Sequence, residues 1–449
     1  MQPSTLALST GQGLVPALPF ALPWCLPFAG LLASFALGPL LAPRSWHRWE
    51  APIAGFWAVA LLAPLAATIG PGAALAAAWR DMLGTTLPFL ALLLALYAAG
   101  GGVPLRGGFR GTPAGNMAFL ALGTLAAGVM GTTAAAMVLI HPLLAANAHR
   151  KRKFHLVLGF ILLVANAGGA LSPLGPPLYL GFLRGVGFFW PLRHLGPPLA
   201  LLAGLVLAIV FLCDRHLARA EAPAPPRAPF RLRGGWNLAL IALIAATVFL
   251  EGVWPGGRIA VAGATIPAAQ FAGIGVCLGA AALSAGLTPR AVRRGNDFSR
   301  RPMAEVAWFF LALFVTLMPI GPMLAAGAAG PLGPAIALAS GGDGRPGPGA
   351  LFWLTGGLSA LLDNAPSYLM AWGLAGIGPG GGGARALAAL SAGAVFFGGL
   401  TYLGNAPNLV VRAIAAHRGV RMPGFLAYAA LAALVLGPAL VLLAVVWVG

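Results

Sequence analysis

The sequence predicts an all-α polytopic membrane protein, and three observations support this fold class. Hydrophobic residues make up 59% of the 449 residues, charged residues make up only 8%, and the mean hydropathy is +0.89. About ten apolar runs approach the length of roughly 20 residues that a spanning helix needs. A soluble domain carries about 25% charged residues, and the runs lack the alternation of a membrane barrel.

The formal net charge is +18, and most of the basic residues fall in four connections between apolar runs. These connections are residues 149–153, 215–233, 290–301 and 412–421. Lys and Arg beside spanning helices mark cytoplasmic loops and contact lipid headgroups. We therefore place the four connections in the cytoplasm and expect a multi-pass protein of the bacterial inner membrane. Membrane lipids are expected partners, and nucleic acid is not.

A basic, Pro-rich segment divides the chain into two halves. It contains the run APAPPRAPFRLRGG and lies at residues 215–235. Polar runs rich in Pro and Gly form connections rather than spanning helices. We therefore expect an N-terminal half at residues 1–214, a cytoplasmic linker, and a C-terminal half at residues 236–449.

Each half contains two polar interruptions of an apolar run, in the same order. In the first half they are VMGTTAAAMVLIHPLL (129–144) and NAGGALSPLGPPLYLGFL (166–183), and in the second ALLDNAPSYLMAWGL (360–374) and FGGLTYLGNAPNLVV (397–411). Gly and Pro stop a helix and leave backbone groups unpaired, which a membrane tolerates only around protein or a wet cavity. Paired interruptions indicate a transporter binding site, although ordinary proline kinks are the alternative.

The second interruptions of the two halves can be aligned with each other. GGALSPLGPP (168–177) matches GGLTYLGNAP (398–407) when one residue is skipped, which places Gly168 on Gly398, Gly175 on Gly404 and Pro177 on Pro407. The match indicates that both segments form the same kind of turn.

Asp363 is the acid that lies well inside an apolar run, whereas Glu50 and Asp214 are assigned to connections. An acid at the bilayer centre costs about 2.5–3.5 kcal/mol on insertion scales, so it indicates function. Pro366 prevents a regular helix here, which leaves carbonyls, the Asn364 amide and the Asp363 carboxylate as oxygen ligands. Sodium prefers such ligands, and a buried carboxyl also holds a proton. We expect Asp363 and Asn364 to bind both in competition; the alternative is a protonated structural Asp.

The other interruptions supply uncharged polar groups. Half-helix N-termini beside them would add a positive dipole end. Each residue taken alone also fits an ordinary interhelical hydrogen bond. The candidates for a shared ion site are Thr132, Thr133, Asn166, Ser172, Thr401, Asn405 and Asn408.

Enzymatic and cofactor chemistry is not expected. The chain has no nucleotide-binding loop and no His-Glu-x-x-His sequence, and its three cysteines show no ligand spacing. Transport would run on an ion gradient, with sodium and protons as the transported or coupling ions. His141 fits either interfacial packing or pH sensing, and Glu305 fits either a helix N-terminal contact or a proton relay.

The chain resembles the ion transporter superfamily that includes NhaD-type sodium/proton antiporters, arsenite carriers and CitMHS-type citrate carriers. The resemblance is carried, in order along the sequence, by GTTAAAMVLIHPLL, NAGGALSPLGPPLYLGFLRGVGFFW, EVAWFFLALFVTLMPI, LDNAPSYL and GNAPNLVVRAIAAHRGVRMPGF. It implies two inverted repeats with re-entrant hairpins and discontinuous helices. It also implies a scaffold domain that forms a homodimer and a transport domain that moves as an elevator.

By motif, the resemblance also implies the ion and substrate positions. They fall on Thr132, Thr133, Asn166, Ser172, Pro173, Asp363, Asn364, Pro366, Asn405 and Pro407. Relatives carry an acid before the two prolines, where this chain has Gly175. Asp363 is then the one deeply placed carboxylate.

Two functions follow as expectations. The first is a secondary active sodium/proton antiporter. The second is a carrier of citrate, another carboxylate or an arsenite-like oxyanion, against which the absence of a mid-membrane Arg clamp counts. The expected substrate is thus a small inorganic ion or a small anion.

Overall fold

Helices form most of the computed structural model, which describes residues 20–42, 45–226, 229–254, 256–340, 344–378, 380 and 383–448. The helices before the central linker are α1 (Leu26–Leu41), α2 (Trp46–Ile69), α3 (Pro71–Asp81), α4 (Leu87–Gly100), α5 (Pro113–Ala146), α6 (Phe154–Leu163), α7 (Pro176–Phe182) and α8 (Trp190–Ala218).

The helices after the linker begin with α9 at Gly235. They are α9 (Gly235–Val253), α10 (Ala268–Leu287), α11 (Arg290–Gly295), α12 (Arg301–Leu317), α13 (Ile320–Ala325), α14 (Gly333–Ser340), α15 (Pro348–Leu362), α16 (Asn364–Ala375), α17 (Ala384–Phe396), α18 (Ala406–His417) and α19 (Phe425–Leu443). Two small antiparallel pairs join β1 (Leu105–Arg106) to β2 (Arg231–Leu232), and β3 (Arg258–Val261) to β4 (Ala264–Pro267).

Within the described residues, eight helical segments are long and apolar enough to cross a membrane when counted by length and composition alone, and α5 is one of them although it changes direction at Gly131. The chain is therefore a multi-pass membrane protein, as its composition predicts. The sequence predicts about ten spanning runs. The difference arises because some apolar runs form shorter helices, among them α15 (Pro348–Leu362) and the segment Ala384–Leu400.

Helix α5 reverses its direction at Gly131. A straight helix of 34 residues would be about 51 Å long, yet Asn116 near its start donates a hydrogen bond to Asn147 just after its end, at 3.0 Å. Gly131 has φ 75° and ψ 152°, which lies in the left-handed region that favours glycine. The two halves of α5 therefore lie side by side and meet in a tip at Gly131.

Helices α15 and α16 form a second reversal, with its tip at Asp363. Asp363 has φ 106° and ψ 151°, close to the values at Gly131. The open ends lie together, because Arg345 donates to the Gly376 carbonyl at 3.5 Å. The first reversal begins and ends beside the basic loop at 149–153, whereas the second opens at the opposite end of the molecule, where the Gly380 amide donates to the Arg184 carbonyl.

Two broken segments cross between the reversals: α6 to α7, and α17 to α18. In each, two glycines six residues apart pack so closely that a Cβ on the second would lie 2.5 Å from the carbonyl oxygen of the first. These pairs are Gly169 with Gly175, and Gly398 with Gly404. Glycine is required there because any side chain would collide. The structure therefore changes the alignment of the two segments: Gly169, rather than Gly168, corresponds to Gly398. The residue without a counterpart then lies after the turn, between Gly404 and Pro407.

The four basic connections lie together at one end of the molecule, which we call the basic end. The Glu221 carboxylate accepts the backbone N–H groups of Lys151 and Arg152 at 2.9 and 2.8 Å, and these bonds lower the pKa of Glu221. Asp297 pairs with Arg418 at 3.0 Å, and β1 pairs with β2 of the linker. One end therefore carries all four clusters, as expected for a single cytoplasmic face.

Two acids that the sequence assigns to connections are buried residues of helices. Asp214 belongs to α8 and is fully buried, where it pairs with Arg150 and contacts His155 at 2.9 Å. Glu50 belongs to α2 and is 4% exposed. The assignment of both to connections was wrong, because α2 begins at Trp46 and α8 continues to Ala218. A buried acid needs a partner, which for Asp214 is Arg150.

Candidate functional site

A cavity of about 440 Å³ lies between the broken elements and a wall of helices. Helices α1, α2 and α12 pack on one another and form this wall. The opposite side comes from all four polar interruptions, which contribute Thr133, Pro176, Asp363, Asn405 and Pro407. Residues that the sequence separates by more than 200 positions therefore meet around one space.

The cavity extends from these interruptions towards the basic end. Its lining includes Pro302, at the first turn of α12, and Ala413, on the last turns of α18. Both residues adjoin basic connections, since Arg301 and Arg412 are their neighbours in sequence. The structure thus links the centre of the molecule to the end predicted to be cytoplasmic.

Asp363 occupies the point where two half-helices begin. Its side chain caps α16 by accepting the Ala365 N–H at 3.1 Å. The backbone N–H groups of Asn364 and of Ala406, the first residue of α18, also lie beside this carboxyl group. Helix N-termini carry a partial positive charge, so the two dipole ends favour the charged carboxylate, although only 6% of the residue is exposed.

Three buried oxygens beside the breaks receive no hydrogen bond from the described residues. They are Thr132 Oγ1, Asn166 Oδ1 and Asn364 Oδ1. Thr132 follows Gly131 and Asn364 follows Asp363, so each reversal presents one such oxygen directly after its tip. An unpaired buried acceptor costs about 1–3 kcal/mol, and a hard cation with oxygen ligands would remove that cost.

Four predicted site residues hold the crossing turns together. The Asn166 amide donates to Asn408 Oδ1 at 2.8 Å, and the Asn408 amide donates to the carbonyls of Gly398 and Thr401 at 2.8 and 2.9 Å. Asn405 donates to the Ala165 carbonyl at 2.9 Å. The Thr401 hydroxyl donates to the Ala360 carbonyl and accepts N–H groups of its own turn. Of these four, only Asn405 lines the cavity.

The remaining candidates divide into lining and supporting positions. Thr133 and Pro407 line the cavity. Ser172 accepts the Leu174 N–H at 3.2 Å within its turn, as Thr401 accepts the Leu403 N–H at 3.1 Å. Pro173 and Pro366 are buried and do not line the cavity, and Pro366 lies in the first turn of α16.

The facing wall carries two acids, of which Glu305 is a candidate for a proton relay from the sequence, whereas Glu50 is not among the predicted site residues. Glu50 of α2 and Glu305 of α12 both line the cavity. Among its described lining residues, the cavity has three carboxyl groups and no Lys, Arg or His. Glu50 could have been found from its run, WHRWEAPIAGFWA, because the charge-free stretch begins directly after it.

His141 contacts the basic end rather than the cavity. Its Nε2 lies 3.0 Å from the Asn296 carbonyl, and its Nδ1 lies 3.7 Å from Asp297. Asp297 also pairs with Arg418 after α18. His141 therefore links the second half of α5 to the loop that precedes α12.

Comparison with known proteins gives one family. A sequence model described as "Putative citrate transport" matches residues 18–448, nearly the whole chain. No curated protein matches the chain.

Proposed function

The chain belongs to the family described as "Putative citrate transport", and from this premise we propose that it is a secondary transporter that exchanges sodium for protons. The family supports a transporter of a small ion or anion rather than an enzyme. The acidic cavity supports a cation as the transported species, because its described lining has three carboxyl groups and no basic side chain.

The observation that carries the proposal is the setting of Asp363. Asp363 lines the cavity, and its carboxyl group accepts an N–H of α16 and lies beside the first N–H of α18. A carboxyl group in this position binds either a proton or a sodium ion, and neither can bind without displacing the other. Competition for one group suffices for coupled exchange when the group faces each side of the membrane in turn.

The positions of the helix breaks support an architecture of two inverted repeats. The two reversals open at opposite ends, and the two crossing segments run between those ends. Two inverted repeats, each with a re-entrant hairpin and a discontinuous helix, would produce this arrangement. We propose that the broken elements move as one transport domain past the wall of α1, α2 and α12, in the manner of an elevator.

The proposed ion ligands are the Asp363 carboxylate, the Asn364 amide oxygen and, at the other reversal, the Thr132 hydroxyl. All three residues are buried, and the two neutral oxygens receive no hydrogen bond from the described residues. Ca²⁺ sites show that hard cations bind such oxygens at about 2.3–2.6 Å. The chain needs no further cofactor in this scheme.

The test is sodium-driven proton movement in vesicles that contain the purified protein. A preformed pH gradient should collapse on addition of sodium or lithium. Asp363→Asn should abolish this response, because a carboxamide, unlike a carboxyl group, does not take up and release a proton near neutral pH. Asp297→Asn is the matched control, since Asp297 lies outside the cavity and its left-handed conformation (φ 46°) suits Asn. Exchange by Asp363→Asn at the wild-type rate would contradict the mechanism.

A carboxylate carrier is the second candidate, and the description of the family favours it. The N-terminus of α18 lies at the cavity, where Ala406 is part of the lining, and the positive dipole end of a helix attracts an anion. The three acids of the lining would repel citrate in its fully ionised form, which carries three negative charges. Radiolabelled citrate uptake separates the two candidates: uptake driven by sodium would support the carrier, and no uptake with or without sodium would remove citrate.

A further inference from the structure

The cavity is much larger than an ion site requires. Its volume is about 440 Å³, whereas a water molecule takes about 30 Å³ and small-molecule pockets run from about 300 to 1,000 Å³. A dehydrated sodium ion held by Asp363 and its neighbours would leave most of this volume to another occupant.

The wall that faces Asp363 is aromatic. Phe35 of α1 packs edge-on against Trp46 of α2 at 5.2 Å between ring centroids, and it contacts Phe309 of α12 at 5.0 Å. The aromatic residues of the lining are Phe35, Trp46, Tyr97, Phe309, Phe310 and Tyr402. Aromatic faces attract cations, and the attraction strengthens when water is excluded.

The charged residues in the described lining of the cavity are all acidic. Glu50 is 4% exposed and lies one helical turn from Trp46, so its carboxyl group and the indole share one face of α2. Glu305 also lines the cavity and pairs with Arg301 at 3.2 Å, although Arg301 itself lies outside the lining. Tyr402 already carries a cation on its ring, since the Arg412 guanidinium lies 4.5 Å from its centroid.

From this combination we propose that the cavity binds a lipophilic organic monocation, such as an aromatic phosphonium or ammonium compound. The carboxylate of Glu50 balances the charge, and the rings of Trp46 and Phe309 contact the apolar body. The inference goes beyond sodium/proton exchange, because it assigns a second ligand class to the part of the cavity that the ion does not fill.

The test uses two probes of the same size and shape but opposite charge. Purified full-length protein in lipid nanodiscs is titrated with radiolabelled tetraphenylphosphonium and with tetraphenylborate. Saturable binding of the phosphonium alone is the expected result. Equal binding of tetraphenylborate would show that the cavity is merely apolar, and absence of saturable phosphonium binding would also overturn the proposal.

Two variants test separately the carboxylate that balances the charge and the aromatic ring that contacts the apolar body. Glu50→Gln should weaken phosphonium binding by about tenfold or more, because the desolvated cation loses its counter-charge. Phe309→Leu keeps an apolar side chain of the wall without its ring and should also weaken binding. Glu251→Gln is the control: this half-buried glutamate of α9 does not line the cavity. Equal affinity of Glu50→Gln and Glu251→Gln would contradict the proposal.

The readout distinguishes failure of this proposal from failure of the transport proposal. Binding in nanodiscs requires no ion gradient and no movement between states. If wild-type vesicles show no sodium/proton exchange while phosphonium binding is saturable and depends on Glu50, the transport proposal fails and the ligand assignment stands. If the vesicles show sodium/proton exchange but phosphonium binding is not saturable, the ligand assignment fails and the transport proposal stands.

Discussion

At the residue scale, asparagines of the interruptions have different roles despite their similar burial. Asn408 uses its whole amide group, because it donates to two carbonyls and accepts from Asn166. The Asn364 amide oxygen, by contrast, receives no hydrogen bond from the described residues. The first residue fastens two turns that lie 242 positions apart in sequence. The second offers an acceptor that an ion can occupy.

This difference predicts opposite outcomes for two alanine substitutions. Asn408→Ala should lower the free energy of unfolding by about 2–4 kcal/mol, because the carbonyls of Gly398 and Thr401 and one N–H of the Asn166 amide lose their hydrogen bonds to Asn408. Asn364→Ala should change stability much less and instead raise the sodium concentration that half-saturates exchange. Thermal unfolding and initial exchange rates measure the two effects. Equal loss of stability in both variants would contradict the assignment of roles.

At the element scale, the two reversals share one backbone conformation but different residues at their tips. Gly131 and Asp363 have φ values of 75° and 106°. Glycine adopts such a conformation freely, whereas another residue is strained by about 1–3 kcal/mol. The strain at Asp363 is offset by its contacts with N–H groups of α16 and α18. Strain kept at a cavity wall is typical of functional positions.

The tip of α5 can be tested by a single added methyl group. Gly131→Ala should lower the free energy of unfolding by about 1–3 kcal/mol, because φ is positive and the Cβ would lie 2.8 Å from Leu96 and 3.0 Å from the Leu174 carbonyl. Gly55→Ala is the control: Gly55 lies inside α2 and a Cβ there meets nothing within 4 Å. Because alanine favours helices, that variant should be at least as stable as the wild type.

At the scale of the whole molecule, the cavity and the four basic connections define one side. The lining reaches Ala413, whereas the β3–β4 hairpin lies at the opposite end, between α9 and α10. If the basic end is cytoplasmic, the structure represents a state that is open to the cytoplasm. An exchanger must also visit a state open to the other side.

Orientation can be measured by labelling single cysteines. In a variant without Cys25, Cys213 and Cys277, Ala413→Cys should react with a membrane-impermeant maleimide only when the basic end faces the reagent. Thr265→Cys, at the exposed position of strand β4, should react only from the other side. Labelling of both positions from the same side would show that the assignment of the basic end is wrong.

The sequence by itself determined the membrane class, the four interruptions and the location of Asp363 inside one of them. Composition, glycine and proline are local signals, and a local signal is enough to show that a helix must break. Only the tertiary structure decided that the breaks meet around one cavity, that Asp214 is buried against Arg150, and that Glu50 and Glu305 face the same space. These contacts join distant parts of the chain, and their partners depend on how helices pack, which no local pattern encodes.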